Sequence, residues 1–233
     1  MKIKHGMILA AGIGKRMQPL TLETPKPLLK IGKQSLLERA INLLIANSVE
    51  KITINVHHLG DQIKKFIEEK NYKTNITISD EGDDLLDTGG GILKGTSSLD
   101  VNDPFIVINP DTLWDKNYDQ ELKDLIKLYF KENKPCMLVA NKNISFDKSF
   151  SGDFTLHGNV ISKEEKNQFI YTGLQIMNRK VFAKEDIKIF SMNKIWKQLI
   201  KEKNLLGLQS VQNFYHLNTF EMYEKISALK PID

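Results

Sequence analysis

The sequence predicts an α/β fold: a three-layer sandwich built on a mostly parallel, mixed sheet, with a smaller β-rich part toward the C-terminus. Three observations predict it. Through residue 140, short apolar runs of strand length alternate with stretches whose apolar residues recur at helical spacing. After about residue 141 that alternation gives way to polar sequence broken into short β-like pieces. The chain has 233 residues, 41% of them apolar, enough for one α/β domain with a sizeable core and short for two.

The elements follow in order. Met7-Ile8-Leu9 is an apolar run closed by glycines and reads as a buried strand. Leu36 to Ala46 has helical periodicity, and Lys51 to Val56 is strand-like. Asp61 to Glu69 reads as a helix with Ile63, Phe66 and Ile67 on one face; Asn75 to Ser79 is a short strand. Phe105 to Asn109 is a further strand ending in Pro110-Asp111, Leu122 to Phe130 a helix, and Met137 to Ala140 a strand. Beyond these, Asp153–Leu156, Asn159–Ile161 and Phe169–Tyr171 are β-like, and helices are expected near Lys194–Lys203 and Thr219–Leu229. With no repeat, low-complexity tract or linker, residues 1–233 read as one domain. Residues 1–140 form its main part, and 141–233 a lid or second wall with the terminal helices.

Composition narrows the function. Lys plus Arg number 33 and Asp plus Glu 29, a net charge of +4 that is spread along the chain rather than gathered in a run. Nucleic acid is not expected as a partner; a phosphate-rich small ligand suits this charge as well. No stretch approaches the roughly 18 apolar residues of a membrane span, and the N-terminus has no long apolar region of a signal peptide, so a cytoplasmic protein is expected. The single cysteine, Cys136, precedes an apolar run and reads as a core residue.

The chemistry concentrates in three places. The first runs from Leu9-Ala10-Ala11-Gly12-Ile13-Gly14-Lys15-Arg16-Met17 to Thr24-Pro25-Lys26-Pro27. A strand feeds a glycine-containing loop at the carboxyl edge of a parallel sheet, where such sheets bind ligands. Small residues let backbone N–H groups approach a triphosphate. Lys15, Arg16 and Lys26 add cationic donors, and the prolines stiffen the chain around Lys26. The loop lacks the third glycine of a dinucleotide fingerprint, and no P-loop pattern exists. A bland strand-to-loop turn is the alternative.

The second is Glu81-Gly82-Asp83-Asp84-Leu85-Leu86-Asp87-Thr88-Gly89-Gly90-Gly91-Ile92. Three glycines opening a helix disfavour it, which suggests close approach of a ligand to backbone; a plain helix-entry turn is the other reading. The third is Asn109-Pro110-Asp111, where a strand delivers a carboxylate to the sheet edge. Such a carboxylate can hold Mg²⁺ against phosphate oxygens, although an Asp after a strand also serves as a helix cap. His57 and His58 read as structural.

These segments closely resemble the sugar-1-phosphate nucleotidylyltransferases, whose signature runs LAAG-x-G-x-R-M-x-PLT-x-x-x-PKPL. The Glu81–Ile92 pattern and Asn55–Ile63 are similar to the short subgroup of N-acetylmuramate-1-phosphate uridylyltransferases and related mannose-1-phosphate guanylyltransferases. The resemblance implies a Rossmann-like sandwich whose C-terminal part binds sugar. It implies a nucleoside triphosphate on Leu9, Ala10, Ala11, Gly12, Gly14 and Lys15, with Glu81, Thr88, Gly89 and Gly90 around the nucleoside. Arg16 would contact the leaving pyrophosphate, Lys26 the α-phosphate, and Asp111 the Mg²⁺, with Mn²⁺ as substitute. Asn109, Asp153, Thr172 and Gly173 would meet the sugar 1-phosphate.

The C-terminal stretch departs from the family: His216 stands where a second metal-binding Asp belongs, Asn218 replaces a glycine, and Thr219 is kept as a helix cap. Pro110 replaces a glycine beside Asp111. The implied reaction is a single in-line displacement, with UTP favoured, by a monomer or small homo-oligomer. A guanylyltransferase, a cytidylyltransferase acting on phosphocholine, and a non-catalytic nucleotide-binding homologue remain as alternatives.

Overall fold

The computed structural model describes residues 2–229. Strand β1 (His5–Leu9) leads through a short helix α1 (Leu20–Glu23) and a small hairpin, β2 (Lys30–Ile31) and β3 (Gln34–Ser35), to α2 (Leu36–Ala46). The alternation predicted from sequence follows: β4 (Lys51–Val56), α3 (Gly60–Lys70), β5 (Asn75–Asp80), α4 (Asp87–Gly95), β6 (Phe105–Ile108), α5 (Tyr118–Glu132) and β7 (Cys136–Asn141). Then come β8 (Thr155–His157), β9 (Val160–Ser162), β10 (Phe169–Met177), α6 (Met192–Lys201), β11 (Leu206–Ser210) and α7 (Phe220–Ser227).

Nine strands form one sheet in the order β5-β4-β1-β6-β10-β7-β11-β9-β8. All but β10 and β9 run the same way. Alternate residues supply the two faces. In β6, Ile106 and Ile108 belong to a core shared with Leu37, Ala40 and Ile41 of α2 and with Leu122 and Leu125 of α5. Phe105 and Val107 belong to the core on the opposite face, with Ile92 of α4 and Ile195 of α6. Helix α2 starts where the Ser35 hydroxyl accepts the Glu38 N–H at 3.1 Å, and α7 where Thr219 does the same for Met222 at 3.2 Å. The cap expected of Thr219 is therefore present. Cys136 is buried in β7, and burial pushes its thiol up, as befits a core residue.

The chain runs from β1 outward to β4 and β5, then returns to the other side of β1 as β6. This reversal opens a crevice above the carboxyl ends of β1 and β6, the place where open α/β sheets take ligands. Both the glycine loop and Asp111 emerge there.

The structure differs from the sequence reading in the C-terminal part. Phe169–Tyr171 is only the start of β10, a nine-residue strand that lies between β6 and β7 and is antiparallel to both. Its pairing with β7 shifts register between Tyr171 and Gln175, and Gly173 sits in that irregularity at φ 96°. Strand β11, which pairs parallel to β7, has no counterpart among the expected elements.

Candidate active site

The glycine loop is anchored by a buried chain of hydrogen bonds. The Ala10 N–H donates to Asn55 Oδ1 at 2.8 Å, and Asn55 Nδ2 donates to Glu81 Oε1 at 2.6 Å. The other Glu81 oxygen accepts the Leu86 N–H at 2.7 Å. Glu81 thus ties the loop after β1 to the end of β4 and to the segment before α4. Met17 N–H and the Thr21 hydroxyl both donate to the Gly14 carbonyl, at 2.8 and 2.9 Å. The His58 ring donates to Thr21 O and the His57 ring to Gly82 O, each at 2.9 Å, so both histidines join loops, as the sequence suggested. At Gly12 an added Cβ would meet no protein atom, so the space over it is open.

That space belongs to a cavity of about 560 Å³. Leu9, Ala10, Ala11, Gly12, Gly14 and Lys15 line it, as do Arg16, Lys26, Glu81, Thr88, Asn109 and Asp111. A second cavity of about 300 Å³ is lined by Asp153, Gly173 and His216, together with Tyr171, Trp196 and Lys163. Asn109 and Asp111 line both, so the cavities meet at the end of β6. Asn109 Oδ1, Asp111 Oδ1, Tyr171 Oη, His216 Nδ1 and Asn218 Oδ1 are buried without a hydrogen-bond partner. All of these residues line one cavity or the other. Buried polar atoms are normally paired, so this concentration marks a place prepared for a polar ligand.

Asp111 is the electrostatic centre. Lys26 Nζ donates to its Oδ2 at 2.7 Å, and His216 Nδ1 stands 3.8 Å from Oδ1. Burial by itself would raise the Asp111 carboxyl; the Lys26 ammonium and His216 outweigh it and hold the group at about 2. Burial, helped by Lys26 and Arg16, keeps His216 below its ordinary value against the pull of Asp111. His216 is fixed by a bridge to Thr112 and by stacking on Phe214, with centroids 5.7 Å apart.

Among the described residues, no three His, Cys, Asp or Glu side chains gather as a metal cluster. The unpartnered Asp111 oxygen and His216 nitrogen nevertheless lie side by side. An oxygen donor of that kind fits Mg²⁺, and the nitrogen suits Mn²⁺ better. The remaining ligands would have to come from phosphate and water.

Two expectations are corrected. Gly89 and Gly90 do not face the cavity. Their N–H groups donate to the Phe190 carbonyl at 2.9 and 3.1 Å, and a Cβ on Gly90 would collide with Lys188 O. The close approach that Gly89 and Gly90 permit is to the segment 188–190 of the same chain, while Gly91 lies against Glu81 and Asn55. Gly90→Ala is accordingly expected to destabilise the fold by roughly 1–3 kcal/mol, because backbone must shift. Thermal unfolding checks this, and an unchanged midpoint would reject it. Thr172 is also not a cavity residue. It is 1% exposed, its hydroxyl donates to Leu138 O at 2.9 Å, and its carbonyl accepts from Thr112 at 2.6 Å.

Sequence reasoning missed Ile189 in the first cavity and Trp196 in the second, and in the Tyr171–Ile176 segment it singled out Thr172 and Gly173 but not Tyr171. Ile189 is 61% exposed. The only signal for these was an apolar or aromatic side chain in a segment otherwise polar, which composition does not distinguish from core.

A family model described as nucleotidyl transferase matches residues 5–145, which contain the glycine loop, Lys26 and Asp111. The N-acetylmuramate alpha-1-phosphate uridylyltransferase of Caulobacter vibrioides is 31% identical over 213 residues, 88% of each chain. The mannose-1-phosphate guanyltransferase of Saccharomyces cerevisiae is 30% identical over 215 residues, 86% of this chain and 57% of its own. A UDP-glucose pyrophosphorylase complexed with UDP-glucose shares the fold, with a TM-score of 0.78 over 97% of both chains at 19% identity. On the match over residues 5–145 and the likeness to the Caulobacter protein, the chain belongs to the nucleotidyl transferase family.

Proposed function

We propose that this chain transfers a nucleoside monophosphate from a nucleoside triphosphate to a sugar 1-phosphate, releasing pyrophosphate. The observation that carries this is the set of unpartnered buried polar atoms where two cavities meet at Asn109 and Asp111. The triphosphate lies in the larger cavity, against the open face of Gly12, with Lys15 and Arg16 on the leaving pyrophosphate. Lys26 exchanges its contact with Asp111 for one with the α-phosphate. The sugar 1-phosphate enters the smaller cavity beside Asp153 and Gly173, and its phosphate oxygen attacks the α-phosphorus in line. That nucleophile is already anionic, so positioning and charge neutralisation suffice without a general base. Mg²⁺, or Mn²⁺ in its place, would be held by Asp111 with His216 beside it, and supplies further neutralisation of phosphate charge when bound.

UTP is the favoured donor because the Caulobacter relative, a uridylyltransferase, matches along most of both chains. The yeast relative supports GTP and mannose 1-phosphate as the second reading. Among the described residues no helix is long and apolar enough to cross a membrane. We place the reaction in the cytoplasm, in a single domain over 1–233 acting as a monomer or small homo-oligomer.

Pyrophosphate release, measured with each nucleoside triphosphate against a panel of sugar 1-phosphates, tests the reading. Release is expected to be fastest with UTP and an amino-sugar or muramic-type acceptor. Release from no pair would sink the proposal. His216→Asp is expected to lower the ratio of Mn²⁺- to Mg²⁺-supported activity, since oxygen replaces nitrogen beside Asp111. An unchanged ratio would place His216 outside the metal site.

A further inference from the structure

Tyr171 lines the second cavity, and its hydroxyl is buried with no hydrogen-bond partner. Its position is fixed from several sides. The Tyr171 N–H donates to Asp153 Oδ2 at 3.0 Å, and the residue pairs with Val139 of β7. Its ring meets Trp196 edge-on with centroids 4.9 Å apart, and the Trp196 indole N–H donates to Gln175 Oε1 at 3.0 Å. The β10–β6 register sets Leu174 against Ile108. Beyond that pair the strands part at the Gly173 irregularity, and Tyr171 and Asp111 both line the second cavity. Burial raises the phenol well above its ordinary value, and the Asp111 carboxylate adds to this, so the hydroxyl keeps its proton.

A buried O–H without an acceptor is costly to keep, and its place suggests what supplies one. An acceptor substrate must bring its phosphate to the junction at Asn109 and Asp111 to reach the α-phosphorus. Its sugar ring then extends away from the junction, toward Asp153 and Trp196. Tyr171, which lines this cavity together with Asp111, stands at the phosphate end. It also offers a neutral donor where a carboxylate alone would repel the incoming phosphate.

We infer that the Tyr171 hydroxyl donates a hydrogen bond to the phosphate of the sugar 1-phosphate and so holds the nucleophile at the junction of the two cavities. This assignment rests on the reaction proposed above. Tyr171→Phe tests it, because the ring and its contact with Trp196 are retained. With the best nucleotide and acceptor found for the parent enzyme, kcat/KM for the sugar phosphate is expected to fall about 10- to 100-fold. KM for the nucleotide and the melting temperature should stay as in the parent. The loss should be of similar size for two acceptors that differ only in the sugar, such as N-acetylglucosamine 1-phosphate and N-acetylmuramate 1-phosphate. Parent-like kcat/KM in the variant would overturn the assignment alone, as would a loss confined to one sugar. Absence of turnover by the parent with every acceptor would overturn the proposed reaction and this assignment with it.

Discussion

Replacing Lys26 by alanine is expected to lower kcat by about 10²- to 10³-fold, with a much smaller change in KM for the nucleotide. Lys26 is held between Pro25 and Pro27 at the start of a short 3₁₀ turn, and Nζ lies 2.7 Å from Asp111 Oδ2. In the proposed reaction its ammonium, beside Asp111, would face the phosphates as negative charge moves toward the departing pyrophosphate. An interaction that strengthens along the reaction appears in kcat, whereas uniform binding appears only in KM. Steady-state rates with both substrates varied separate the two. A variant with parental kcat and a raised KM alone would show that Lys26 only binds nucleotide.

Asp111→Asn is expected to cost a similar factor in Mg²⁺-supported turnover, because the amide keeps the shape and loses the charge. The same substitution has a consequence for stability that needs no substrate. The Asp111 carboxyl lies at about 2 in the folded protein against an ordinary 3.8. A depressed carboxyl contributes stability above its unfolded value, and that contribution is lost as pH falls through the folded one. The difference corresponds to on the order of 2 kcal/mol, present above about pH 4 and lost toward pH 2. Denaturant melts of the substrate-free protein should therefore show a steeper loss between pH 4 and 2 for the parent than for Asp111→Asn. Parallel curves would mean that Asp111 gains nothing from Lys26 in the folded state.

The first half of the fold was legible in the sequence because β1 and β6 carry apolar runs, β4 alternates apolar and polar residues, and the helices among them have one apolar face. Strand β10 was hidden because it carries Thr172, Gly173 and Gln175 at its centre. Gln175 is buried yet paired with Trp196, and Thr172 spends its hydroxyl on Leu138 O, so polarity there reports internal hydrogen bonds and not exposure. The loop residues, Lys26 and Asp111 were legible as a cluster because their chemistry is carried by short segments. Gly89 and Gly90 were misread for a physical reason: glycine records that something comes close, and here that something is the Phe190 ring and the Lys188 carbonyl. Tyr171 lies in the segment that the resemblance set at the sugar, but only Thr172 and Gly173 were singled out there, and it is Tyr171 that lines the cavity while Thr172 turns inward.

The place of β10 between β6 and β7 also governs the order in which the molecule can be assembled. β6 and β7 follow one another along the chain, yet neither can be joined to the other until Met177 has been made. A nascent chain that has emerged through β7 carries an open edge on β6 and a strand with no neighbour, the kind of surface that invites mispairing with other chains. The late arrival of an antiparallel wedge makes the closing contacts long-range, which slows folding relative to a sheet built from consecutive neighbours. It also means that the second cavity is walled only once β10 is in place, since that strand brings Tyr171 and Gly173 to the wall that Asn109 and Asp111 share.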